Sequence, residues 1–180
     1  MRSFAIKILT IFTLGIILST SCIKKPEVKN NGVLILKRDE NSSKCAYYDE
    51  NGNKILGDYY DAFTDTIKDF GIVADSGGFV LIDKTGKIVY HIFPFDCSPD
   101  RTIEGYYRIV DNNGKVGYVD SLTSKLIIKP QFVCASPFEK GIAKVSYCAK
   151  KVYMDDAHEH WIWESNEWFY IDKKGNKITN

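Results

Sequence analysis

The densest set of side chains able to do chemistry lies in AKKVYMDDAHEHWIWES (149–165), which holds Asp155, Asp156, His158, Glu159 and His160. Side chains alternate faces along an extended strand, so Asp156, His158 and His160 would point the same way there. Two imidazoles and a carboxylate form a set that zinc accepts. The spacing is not specific to a metal, however, and histidines in a polar loop are ordinarily solvated. The expectation is therefore no metal and no cofactor. The same stretch carries Trp161 and Trp163, with Trp168 just beyond. Exposed, these rings would suit ligand contact, either with a glycan or at a protein hot spot. The alternative is that they pin the insertion to the rest of the fold.

Elsewhere the residues lack catalytic grouping. A nucleophilic cysteine would need His91, His158 or His160 beside it, and the cysteines read as core positions. The glycines fall in hairpin turns rather than between a strand and a helix, so no phosphate loop is formed. Asp49, Asp83, Asp120 and Asp172 recur with the turns, where an Asp side chain closes the backbone on itself. No catalytic residue is expected, and the chain does not read as an enzyme.

The elements that position these residues are strands. Tyr, Phe, Ile and Val come in short runs broken by Gly, Asn and Asp. After residue 22 no stretch sustains the spacing of an amphipathic helix. The weak exception is Ala62 to Phe70, which predicts a single turn. A strand ending in Asp, a tight turn and a second strand appear as YYDENGNKI (47–55), LIDKTGKIV (81–89), YVDSLTSKLI (118–127) and YIDKKGNKI (170–178). Their aspartates are spaced by 34, 37 and 52 residues. Glycine supplies the positive φ of a tight hairpin, and Thr123-Ser124 replaces it in the third copy, which predicts a wider turn there. Two further landmarks keep step: Tyr60/Ala62, Phe95/Cys97 and Phe132/Cys134, then Gly71, Gly105 and Gly141. The expected fold is all-β, about four three-stranded antiparallel units of roughly 36 residues.

NGKVGYVDSLTSKLIIKPQFVCASPFEKGIAKV (113–145) resembles the WG-repeat family of bacteria. Gly117, Tyr118, Asp120, Pro130, Phe132, Phe138, Gly141 and Ala143 carry the resemblance. The family's defining Trp is replaced by Val116. In the last copy Trp168 stands at that position, with Phe169 in place of the Gly, and the first two copies have Cys45-Ala46 and Phe79-Val80. The resemblance runs over about residues 33–180 and implies a β-rich array, often found on exported proteins. The chain begins with a third-type strand, VLILK (33–37), and ends two strands after Trp168. That pattern predicts an array closed by its terminal strands, with an open array as the alternative.

At the N-terminus Arg2 and Lys7 precede an uncharged, largely apolar run from Ile8 to Leu18, then Ser19-Thr20-Ser21. Eleven residues fall short of the about 20 that a bilayer core of ~30 Å requires; the proportions are those of a signal peptide over 1–21. Small residues before Cys22, with Leu18 upstream, resemble the lipobox of bacterial lipoproteins. The resemblance implies cleavage before Cys22, lipid on its thiol and location at a cell envelope. Residues 22–32, polar and containing Pro26, read as a tether, and 33–180 as the repeat domain. Without 1–21 the chain has 22 basic residues (24 less Arg2 and Lys7) against 23 acidic ones. A balanced surface excludes a nucleic-acid partner.

Cys45, Cys97, Cys134 and Cys148 remain. Cys97 and Cys134 stand at matching landmarks, so stacked units would bring them within reach of a disulfide if their Cα atoms approach within ~7 Å. The other reading is two small buried residues. Together these features predict a non-enzymatic binding or scaffold lipoprotein, held to a membrane by Cys22 and meeting another protein on its faces and loops. The alternative is a glycan-binding module using Trp161 and Trp163.

Overall fold

The computed structural model describes residues 32–179, so the signal peptide, Cys22 and all of the tether but Gly32 lie outside the described residues. The described residues form only strands, turns and loops. The strands repeat an a–b–c order. The first unit is β1 (Leu34–Arg38), β2 (Cys45–Tyr48) and β3 (Lys54–Tyr59), with short β4 (Asp61–Ala62) and β5 (Thr66–Ile67). The second is β6 (Phe70–Asp75), β7 (Gly78–Asp83) and β8 (Ile88–Ile92), followed by β9 (Pro94–Phe95) and β10 (Ser98–Pro99). The third is β11 (Tyr106–Val110), β12 (Val116–Asp120) and β13 (Leu126–Phe132), with β14 (Cys134–Ala135). The fourth has β15 (Ile142–Ser146), the inserted β16 (Lys150–Tyr153) and β17 (Trp161–Glu164), then β18 (Phe169–Asp172) and β19 (Lys177–Ile178). Every pairing is antiparallel, and three times the end of one unit pairs with the first strand of the next: β4–β6, β8–β11 and β14–β15.

The turns follow from local chemistry. Asp49 Oδ1 accepts the backbone N–H groups of Asn51 and Asn53, at 3.0 and 2.8 Å. Asp83 and Asp172 do the same for residues two and four ahead. Gly52, Gly86 and Gly175 sit at φ 83, 81 and 86°, where a Cβ is disfavoured. In the third copy the loop is one residue longer. Asp120 N–H reaches the Lys125 carbonyl, and Ser124 takes φ 55°.

Three cores hold the units together. Tyr47 and Ile82 meet in the first, between units one and two. Tyr118 and Ile171 meet in the second, between units three and four. Tyr47 and Tyr118 stand two places before their turn Asp, whereas Ile82 and Ile171 stand one place before. Odd and even units thus present opposite faces to a shared core. The faces left over, Leu81 of β7 and Val119 of β12, fill the third core between units two and three. Strands β7 and β12 are consequently buried on both sides. Two of the buried tyrosine hydroxyls have partners, Tyr47 donating to the Thr64 carbonyl at 2.6 Å and Tyr118 to that of Ser136 at 2.7 Å, whereas the Tyr107 hydroxyl is buried without one.

Four sequence expectations change. The terminal strands do not pair: β1 lies between β2 and β5, and β19 pairs with β18 alone. Ala62 to Phe70 forms β4 and β5 rather than a helical turn. Gly71 is not the counterpart of Gly105 and Gly141. Those two close turns at φ 89 and 83°, whereas Gly71 lies inside β6 against the Ile67 side chain. Finally, Cys97 and Cys134 form no disulfide; both are free, Cys97 exposed and Cys134 buried. The reason is register. Ala62 and Ala135 pair with Val73 and Val145, and the matching partner in unit two is Ile92 across from Ile109. The extra β9–β10 hairpin puts Cys97 on a turn five residues past that position. Burial pushes the Cys134 thiol up to about 11, so it is a poor nucleophile for exchange.

Candidate functional site

Two aspartate series run through the array, and the second one breaks. Asp39, Asp75 and Asp111 each open the turn from strand a to strand b and accept the N–H two residues ahead, from Asn41, Gly77 and Asn113. They are 36 residues apart, and the next position in the series is Tyr147 (111 + 36). In place of the turn, unit four carries the inserted hairpin. Its root is fastened where the hydroxyls of Ser146 and Ser165 both donate to the Cys148 carbonyl. Ser146 is fully buried.

The hairpin is its own two-stranded sheet, and β16 and β17 pair with no other strand. Its register sets Lys151 opposite Trp163 and Tyr153 opposite Trp161. Period-two alternation puts these four side chains on one face. Trp161 and Trp163 meet edge to face, 5.4 Å apart at 85°. Lys151 Nζ lies 4.0 Å from the Trp161 ring centre, a cation–π contact. Neither tryptophan belongs to any of the three cores. The ring contacts they make are with each other and with Lys151. Tyr153, Met154, Trp161 and Ile162 are exposed.

At the tip the acidic and imidazole groups separate instead of converging. Residues 154–160 form a loop rather than the extended strand that would align Asp156, His158 and His160. His160 Nδ1 turns to Asp155 Oδ2 at 2.8 Å. The His158 ring stacks on Tyr153, 4.2 Å between centres. Asp155 also accepts the N–H groups of Glu159 and His160, and the first of these bonds leads in holding its carboxyl below the usual range. Among the described residues no group of three or more His, Cys, Asp or Glu side chains is placed to hold a metal ion. The tip's polar residues shape the loop.

No protein-family model and no curated protein matches this sequence. The site therefore rests on its own geometry.

Sequence reasoning located the insertion and its tryptophans. It missed Tyr147, Glu167, Phe169 and Lys177, which surround a cavity at the hairpin's root together with Trp168. The break in the 36-residue aspartate series at Tyr147 is the signal that finds it. The buried pair Arg108–Asp100 left no such trace. Arg108 Nη2 and Nε reach the two carboxylate oxygens at 2.6 and 3.0 Å, and Nη1 donates to the Ala135 carbonyl. Both side chains are under one-tenth exposed. With every polar atom engaged and no opening to solvent, this pair is architectural.

Proposed function

We propose that the chain is a non-enzymatic binding module of a cell envelope, lipid-anchored through Cys22, and that a protein partner docks on the β16–β17 hairpin. The carrying observation is an aromatic and lysine face on a hairpin that no other strand covers. Exposed Trp and Tyr are side chains that protein hot spots favour. A glycan partner on Trp161 and Trp163 is the second reading. It draws less support, because the two rings stand perpendicular and Lys151 lies over one of them. A sugar stacks on an open, flat ring.

The test is capture of partners from the source cell's envelope by the anchored protein, against the Trp161→Ala/Trp163→Ala double variant. The same pair of proteins is screened on a glycan panel. Loss of a captured protein with an unchanged glycan profile supports protein docking. Loss of glycan binding alone favours the second reading. If neither changes, the hairpin is not the contact and the repeats are.

A further inference from the structure

We propose that the cavity at the root of the hairpin is a carbohydrate site, separate from the hairpin face, in which Tyr147 is the stacking platform and Glu167 and Lys177 hold sugar hydroxyls. The cavity is about 410 Å³ and is lined by Tyr147, Glu167, Trp168, Phe169, Gly175 and Lys177. That lies within the range of about 300–1,000 Å³ usual for ligand pockets.

The platform is built by packing. The Tyr147 ring leans on Phe132 and Phe169, each 5.2 Å away and tilted by only 32 and 36°. Phe132 is buried and Phe169 partly so, and they anchor Tyr147 to the core of units three and four. Tyr147 itself remains 53% exposed. A ring held by two aromatic neighbours and still half exposed is of the kind the flat C–H face of a pyranose packs against. Its hydroxyl donates at 3.4 Å to Gln131 Oε1. In the matching places units one to three carry Asp39, Asp75 and Asp111, so the scaffold does not require an aromatic ring there.

The polar groups suit a neutral ligand. Among the described residues Glu167 and Lys177 make no ion pair, although both border the cavity. Lys177 Nζ lies 5.0 Å from the Phe169 ring centre, at the cavity wall. A carboxylate accepts and an ammonium only donates, so the two together match a hydroxyl pair that must do both. Their charges cancel, which favours an uncharged sugar over a phosphate or an amine. A β-linked glucose chain presents such hydroxyls at its edge and axial hydrogens on its face.

Cellotetraose and chitotetraose are the probes. In the Trp161→Phe/Trp163→Phe variant Trp168 is the sole tryptophan, so its emission reports the cavity. Titration is expected to shift that emission, and Tyr147→Ala and Lys177→Gln to weaken binding about tenfold, or 1.4 kcal/mol. Circular dichroism of each variant checks the fold, and Tyr147→Phe, which keeps the ring, is expected to retain binding. No change in emission or heat with either sugar at about 10 mM overturns the proposal. So does binding that survives Tyr147→Ala in a folded protein. Loss of protein capture in the hairpin variant with sugar binding intact would leave this site standing alone, so the two readings fail separately.

Discussion

Gly117 sits where strand β13 crosses directly over β12. A Cβ added there would lie 2.5 Å from the Ile128 carbonyl oxygen and 2.6 Å from Pro130 N. Both are backbone atoms, which cannot swing aside. Gly117→Val is therefore expected to lower unfolding free energy by about 1–3 kcal/mol or more, read from urea denaturation. A midpoint unchanged from the parent would refute the crossing. Unit one meets the requirement differently, with Ala46 opposite Gly57. In unit four β19 pairs only with Tyr170 and Ile171, and Phe169 takes the position without conflict.

The turns are the elements most readable in advance, because an Asp closing its own loop is local chemistry. Asparagine side-chain bonds lead in holding Asp49 and Asp172 below the usual carboxylate range, and the Thr123 hydroxyl leads for Asp120. A carboxyl whose folded pKa is depressed stabilises the fold above its unfolded value, about 3.9. That contribution is lost as pH falls through the folded pKa. Melting temperature from these groups should hold between pH 7 and 5 and drop below about pH 4. Asp49→Asn/Asp120→Asn/Asp172→Asn should flatten the acid limb, and a limb as steep as the parent's would count against the carboxylates. Pairing between distant segments was far less readable. The β9–β10 hairpin shifts unit two against its neighbours, so Phe95/Cys97 matches Phe132/Cys134 in spelling but not in space. The all-β class, the Asp-Gly turns and the 149–165 insertion were visible. The cavity was not, since its walls come from residues 147, 167–169, 175 and 177, spread over two strands and three separate loop segments.

In the whole molecule burial is uneven, and so should be its opening. Val80, Leu81 and Ile82 of β7, with Val116 to Val119 of β12, are buried on both faces, whereas every residue of β16 and β17 is exposed or half-buried. Amide hydrogen exchange should be slowest in β7 and β12 and fastest in the hairpin. Hairpin amides as protected as β12 would show a contact that the strand pairing lacks. Because alternate units turn opposite faces to a shared core, this array counts in twos. A single repeat gained or lost would leave an oily face without its mate and turn the next unit's packing outward. A viable gene duplication here copies some seventy residues, two units at a time.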